Sequence, residues 1–494
     1  MPVLYAGVIC LLIPCVLFIL GWMKLIFAIP FALLLVAAAW ICCRNIVKQW
    51  NPAYRSCVFS RRDCLLLLLT LCGLLVFVDL YGLTGHVKQA ADLSVRNAIY
   101  AELINSPWPI YSNRGEYFIY YHAFWLPPAL LAKMISGSIA DIVLSLWVYV
   151  TLVISTITIF TKIRGNVVYF FLFFLLGGNI IENLKLIPIL INRYGDMIPF
   201  ADSISGVCKE LAVESYYRYL NVWTQFVYSY NHAVPLFLYG AMLITGIVPI
   251  RYMLFVTGLV FASSPFGCLL LLPVLILIVI KRKSFKTVIS LWENWVAALF
   301  VLFFVAYLYG QCGGSSGIVL IWQDFAYWGD VSGTYGAFVN THVRMLRYVT
   351  TVAAMVATLW LLTSPRLRNN IWFFAFVFLA VSLPMIWIGR ANNELLFKGS
   401  LILYMLFAWI LRAQWRHSSR NRKIAIVLVV IFASFHIASD VNRRQLYLYT
   451  WKAEEMQLNK RLEWGGTLNR PDIYEYYNFW GENRFPSLFS GPAR

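Results

Sequence analysis

The chain has 494 residues, 61% of them hydrophobic and only 13% charged, with a mean hydropathy of +0.71. A soluble domain carries roughly 25% charged residues, so a soluble globular enzyme is excluded. Forty Lys and Arg against 22 Asp and Glu give a formal charge of +18; the excess gathers in short loops between apolar runs, which argues for membrane topology and against a nucleic-acid partner.

The apolar runs are mostly about 16–22 residues long, enough to cross a ~30 Å hydrocarbon core as helices. Two runs, near 3–21 and 25–43, form an N-terminal helix pair, and only "GWMK" parts them, without a signal-peptide cleavage site. The basic stretches "RNIVKQW" and "YRSCVFSRRD" (44–63) mark a cytoplasmic loop. A span at 63–83 then delivers residues 84–116 to the outside. Further spans are expected near 117–136, 141–161, 166–178, 232–248, 252–280 (one long span or two short ones), 291–309, 346–363, 371–388, 399–413 and 424–439. "KRKSFK" (281–286), "RLRNN" (366–370) and "RAQWRHSSRNRK" (412–423) are further basic loops.

These elements predict an all-α polytopic transmembrane protein of about 12–14 spans. A transmembrane module fills 1–439, with external loops at 84–116, 179–231 and 310–345, and an external tail fills 440–494. The count is one crossing out around 117–192 if "KIRG" (162–165) is cytoplasmic: either a run at 117–161 only dips into the membrane, or 166–192 crosses twice. Cysteines 10, 15, 42, 43, 64, 72 and 268 lie in or at apolar runs as small hydrophobes, and only Cys208 and Cys312 fall in external loops where pairing is open to them.

The chemistry-bearing residues cluster beside the spans. In "ADLSVRNAIYAELINSPWPI" (91–110), Asp92 and Arg96 are i,i+4 neighbours on a helix stopped by Pro107-Trp108-Pro109. That spacing suits an exposed ion pair. It also suits a general base held over the aromatic, polar-headed start of the next run, where Tyr117, Tyr120, Tyr121 and His122 stand. His122 and His232 each sit at the end of a run, where a packing role competes with a site role. In "GRANNELLFK" (389–398), Lys398 is i,i+4 to Glu394 and near Arg390. It either snorkels to the interface or neutralises a lipid phosphate. Asp324 and Asp330 flank an aromatic loop suited to sugar hydroxyls, although Trp- and Tyr-rich loops also form interfacial belts. No metal-ligand spacing, phosphate-cradling Gly-rich loop or nucleophile elbow is present in the sequence.

Four stretches resemble bacterial membrane proteins of the GT-C glycosyltransferase fold. They are "DLSVRNAIYAELINSPWPI" with "YFIYYHAFWLPPALLAKM", "YSYNHAVPLFLYG" (228–240), "ASSPFGCLLLLP" (262–273) and "GRANNELLFKGSLILYML" (389–406). They span about residues 79–406 in the order the family shows. The resemblance implies a polyprenyl-phosphate-linked sugar donor, inversion at the anomeric carbon and Asp92 as catalytic base. Lys398, Arg390 and Arg96 would meet the donor phosphate. Glu102, Asn97, Tyr120, Tyr121, His122, His232, Asn393, Glu394 and Asp324 would line the cleft for sugar and acceptor. Arg96 replaces the family's histidine and Val95 its lysine, and Asn231 replaces a glutamine before His232. No cofactor or metal is required on this reading. The partners are the lipid bilayer, the lipid-linked donor and an acceptor glycan, lipid or protein. The place is a bacterial cytoplasmic (inner) membrane with the site on the extracytoplasmic face. A transporter or flippase for a lipid-linked saccharide, or a non-catalytic subunit of an envelope-polymer assembly, fits the same aromatic loops and mouth charges.

Overall fold

The computed structural model describes residues 2–49, 59–80, 82–83, 93–112, 115–175, 222–310, 318–320, 356, 359–360, 363, 365–382, 386–388, 394–415, 419–421, 423–424, 427, 480–481 and 484–490. It is mostly helical, with almost no strand. Asp92, Asp324, Asp330, Arg390, Asn393, Cys208 and Cys312 lie outside the described residues, as do most of the expected loops at 179–231 and 310–345, most of the expected spans at 346–363 and 424–439 and most of the tail. Four runs among the described residues are long and apolar enough to cross a membrane: Pro2–Trp22, Leu25–Lys48, Arg61–Leu80 and Gly137–Leu175. The chain divides into two compact units, residues 1–167, 226–314 and 444–494 in the first and 168–225 and 315–443 in the second.

The first unit is built on α1 (Pro2–Trp22), α2 (Leu25–Gln49) and α3 (Arg61–Leu80). α1 packs on α2 and on α6 (Ala140–Ile163), and α3 packs on α6. Within α6, Thr151, Ser155, Thr156 and Thr158 each donate their hydroxyl to the carbonyl four residues back, so these buried polar groups are satisfied inside their own helix. At one end of α6, Asp63 at the start of α3 accepts the Gly165 N–H at 2.9 Å; at the other, Ala140 accepts the Tyr100 hydroxyl at 3.0 Å.

The span expected at 117–136 is not formed. After α4 (Leu93–Asn105), the run folds instead as strand β1 (Tyr117–Phe118), a 3-10 turn at Ala123–Trp125 and α5 (Leu126–Ile135). Ten residues of helix reach only about 15 Å, half of a ~30 Å core, and Pro127-Pro128 fixes where α5 begins. α5 packs against α4 and α6, and Lys133 near its end donates to the Ser106 carbonyl just past α4. The stretch from 93 to 140 therefore stays at one end of the unit.

The stretch 252–280 is two helices. α9 (Met253–Phe261) and α10 (Pro265–Lys281) meet at a turn over Ala262–Ser264, and the Cys268 thiol donates to the Thr257 carbonyl at 3.5 Å. Those two residues are similarly far from the turn, so the helices run back to back as a hairpin. Its apex meets α8 (Val222–Thr245), whose helix is interrupted at Ser229 (φ −142°, ψ 37°), upstream of Pro235. A short helix α11 (Phe285–Ile289) leads into α12 (Trp292–Leu308), which packs tightly on α9 because Gly258 lets the Ala297 backbone approach. Near the chain's end, Lys24 N–H donates to the Leu488 carbonyl and Ser490 N–H to the Trp22 carbonyl, which fastens 488–490 over the α1–α2 turn. Strand β1 pairs antiparallel with residues Trp480–Gly481.

In the second unit, α7 (Val167–Leu175) sets Phe170 against Trp409 and Tyr169 and Phe173 against Trp415. Those tryptophans belong to the helix Glu394–Trp415, which also packs on the helix Ile371–Ser382. Strands Ile318–Leu320 and Ile386–Ile388 pair antiparallel.

Candidate functional site

The end of the first unit that holds α4 and α5 gathers residues of three stretches singled out in the sequence, 92–134, 228–240 and 262–273. Arg96 on α4 is half-buried, and its Nη2 donates to the Ser229 hydroxyl at 3.2 Å, at the interruption in α8. Tyr121 lies 4.6 Å from the His232 ring of α8 and 5.7 Å from Phe266 just past the hairpin apex, centroid to centroid. His232 completes the triangle: its Nδ1–H donates to the Ser263 carbonyl at 2.8 Å. Residues separated by more than a hundred positions in the chain thus form one contiguous cluster.

Hydrogen bonding fixes the His232 tautomer. Nδ1 faces a carbonyl, which only accepts, so it carries the proton; Nε2 is then free to accept the Asn231 Nδ2–H at 3.1 Å. With its amide nitrogen so engaged, Asn231 is left with a buried Oδ1 that has no partner among the described residues, and the buried Ser264 Oγ at the apex has none either. Buried polar groups are hydrogen-bonded in the great majority of cases. One acceptor and one hydroxyl near His232 are therefore buried without a partner among the described residues.

Behind these residues sits an aromatic scaffold. Trp125 Nε1–H donates to the Tyr230 hydroxyl at 2.9 Å, and the Trp125 ring stacks near Tyr120 at 6.2 Å. The Tyr307 hydroxyl of α12 accepts the Tyr120 N–H at 2.9 Å and donates to the Phe118 carbonyl at 2.8 Å. Tyr120 and Tyr121 have ring centroids 4.0 Å apart. Their positions are therefore set by backbone bonds to a neighbouring helix rather than by loop sequence alone.

Other expected site residues are placed elsewhere. His122 is fully buried between Trp22 (4.3 Å), Phe118 (5.4 Å) and Phe18 (6.0 Å), with Nδ1–H donating to the Tyr120 carbonyl at 2.7 Å. It is a packing residue that braces the turn carrying Tyr120 and Tyr121. Glu102 accepts the Ser106 hydroxyl, and six residues along a helix turn it about 240° from Arg96. Asn97 is half-buried on α4. Lys398 is 8% exposed, in the second unit, on the helix whose Ser400 accepts the Gln225 amide at 2.7 Å. Glu394 is the first residue of that helix.

Sequence reading missed Ser229, Tyr230, Tyr307 and Ser264. Pro235 and the Ser-Ser-Pro triplet signal breaks at which backbone and hydroxyl groups become available, and those breaks are where Ser229 and Ser264 stand. Tyr307 gives no such signal inside an apolar run. Among the described residues no three His, Cys, Asp or Glu side chains converge as a metal site requires. No family model, no curated protein and no solved structure matches the chain.

Proposed function

We propose that the chain is an integral membrane glycosyltransferase of the GT-C kind, moving a sugar from a polyprenyl-phosphate-linked donor to an acceptor. The observation that carries this reading is the convergence of Arg96, Tyr121, His232 and Ser263 from three stretches that resemble that family. The cluster supplies what such a transfer asks of a protein. A guanidinium suits a phosphate, tyrosine rings give apolar faces, and the unpartnered buried Asn231 and Ser264 atoms would hydrogen-bond a hydroxyl that reached them. Asp92, next in sequence to the first residue of α4, would take the proton from the acceptor hydroxyl. Lys398 and Arg390 would stabilise the departing phosphate.

The test compares lipid-linked and envelope glycans of cells with and without the gene, then complements the deletion with variants. Asp92→Asn keeps the shape and removes the base, so it should insert normally yet lose at least about 100-fold in transfer. Lys398→Ala should chiefly weaken use of the donor, and Asp324→Asn should cost less than either. Normal transfer by a well-expressed Asp92→Asn protein rejects the base assignment; an unchanged glycan profile in the deletion rejects the reading as a whole.

The interruption of α8 at Ser229 beside buried polar groups favours a second reading, because transporters bind at discontinuous helices. A saccharide-lipid flippase would move its substrate across proteoliposomes with no new glycosidic bond. A polar cluster at one end of the helices, rather than midway along them, argues for the enzyme.

A further inference from the structure

At the end of the first unit remote from α4 and α5, α10 finishes at Lys281 in a turn closed by three backbone bonds. Arg282 N–H donates to the Ile278 carbonyl, Lys283 N–H to Ile280 and Ser284 N–H to Val279, each at 3.0 Å. The last two are the paired bonds of a helix cap whose left-handed residue is usually glycine. Lys283 stands there instead, with φ +50°. A side chain in that region costs conformational energy that glycine avoids. Lys281, Arg282, Lys283 and Lys286 are all exposed. No Asp or Glu stands between Glu214 and Glu293 in the sequence, and Glu293 itself is 1% exposed, so its carboxylate does not reach this surface.

The four cations share the turn with exposed apolar groups. α11 follows at once, and its Val288 is buried while Phe285 (63% exposed) and Ile289 stay open four residues apart. Trp292 and Trp295 at the start of α12 are exposed as well, Trp295 at 62%. Hydrogen bonds hold the two helices together. Trp295 Nε1–H donates to the Ile289 carbonyl at 2.8 Å. Asn294 donates to the carbonyls of Val288 at 2.8 Å and of Arg251, in the 3-10 turn Ile250–Tyr252, at 2.7 Å. The patch thus rests on a fixed scaffold with its rings and cations open to their surroundings.

Short basic loops set membrane topology, and cations in a helix's last turn suit its dipole. Neither effect calls for exposed Phe285 and Ile289 beside the charges, nor for a lysine in a conformation that favours glycine. Cations next to apolar groups, where an apolar helix ends, match a phosphate layer lying over acyl chains.

We propose that residues 281–295 form a docking surface for anionic phospholipid. Lys281, Arg282, Lys283 and Lys286 meet the headgroup phosphates, and Phe285, Ile289, Trp292 and Trp295 lie against the glycerol and upper acyl chains. A zwitterionic headgroup offers the same phosphodiester but brings a cation of its own, so the surface discriminates by net charge.

Native mass spectrometry of the delipidated full-length protein tests this, with equal amounts of dioleoyl phosphatidylglycerol and dioleoyl phosphatidylcholine on offer. Each cation near the phosphates is worth roughly fivefold, so the wild type should prefer phosphatidylglycerol by well over about tenfold. Lys283→Gln with Lys286→Gln should cut that preference by about tenfold or more. Arg61→Gln with Arg62→Gln, which removes two exposed cations at the start of α3, should leave most of it. Lys283→Gly separates binding from folding: glycine suits the cap, so this variant should melt higher in detergent yet hold phosphatidylglycerol about fivefold less. Phe285→Ala with Ile289→Ala should lower retention of both lipids and keep their ratio. Equal losses from the lysine and arginine pairs would make the preference a matter of overall charge and overturn the proposal. Equal retention of the two lipids by the wild type overturns it as well, as does full preference in both lysine variants. The wild-type comparison stands even if a variant fails to fold.

Discussion

Burial holds the His122 imidazole at a pKa of about 3, against an ordinary value near 6.5, because a charged ring has no water between Trp22, Phe118 and Phe18. The carbonyl of Tyr120 on Nδ1 favours the protonated form, but desolvation outweighs it. The sign of the linkage follows. Between about pH 6.5 and pH 3 the unfolded chain binds a proton that the folded chain refuses, so stability is complete above pH 6.5 and falls as pH drops. The slope approaches about 1.4 kcal/mol per pH unit. His122→Phe keeps an aromatic ring in the cage and removes the titration; its lost hydrogen bond costs about 1 kcal/mol at every pH. Thermal unfolding in detergent between pH 7 and pH 5 should therefore show a shallower decline for the variant than for the wild type. Parallel curves would mean that His122 does not stay neutral in the fold.

Much of the element order is legible in the sequence, and its departures have local causes. Pro107 stops α4 where expected, and the basic loops mark helix ends. The run at 117–136 is apolar enough to read as one continuous span, yet its α-helix begins only at Leu126, with Pro127-Pro128 in the first turn. The stretch 252–280 keeps the composition of a long span, and its break depends on Ser264 preceding Pro265, a pair whose backbone resists continuing the helix. What periodicity does not reveal is which break meets which, so the meeting of Ser263 with His232 is visible only in the fold. Tight helix contact sets that meeting. A Cβ at Gly258 would stand 2.7 Å from the Ala297 Cβ and 3.2 Å from its carbonyl oxygen, where backbone cannot yield. Gly258→Ala should push α9 off α12 and destabilise by about 1–3 kcal/mol, the usual cost of overpacking. Gly73 in α3 has nothing within 4 Å of its Cβ position, so Gly73→Ala should be neutral or stabilise by up to about 1 kcal/mol. Thermal unfolding of the two variants side by side separates the packing effect from the general effect of replacing glycine.

At the scale of the first unit, the two ends have opposite characters, and sidedness follows from that difference. α6 connects them over 24 residues, about 36 Å at 1.5 Å per residue. One end holds the α1–α2 turn under Leu488 and Ser490, with Tyr111 donating to the Ser490 carbonyl at 2.8 Å and α4 and α5 alongside. The other holds Asp63 against Gly165, the Arg251 turn and the lysines after α10. Lys and Arg in short loops favour the cytoplasmic side, so the end with α4 and α5 should face outward, together with residues 484–490. Single cysteines in a background cleared of the native ones test this. Ser138 and Ser487 are exposed at the first end, and Ser60 and Thr287 are exposed at the second. A membrane-impermeant maleimide on intact spheroplasts should label Ser138→Cys and Ser487→Cys, whereas Ser60→Cys and Thr287→Cys should react only after permeabilisation. Ser138 is the informative position, because it follows α5: if the run at 117–136 crossed the bilayer, its label would group with Thr287 instead. Labelling of Ser60 and Thr287 alone in intact cells would keep the fold and reverse its orientation, placing the Arg96–His232 cluster on the cytoplasmic side. A glycosyl transfer there would draw on a different pool of lipid-linked sugar.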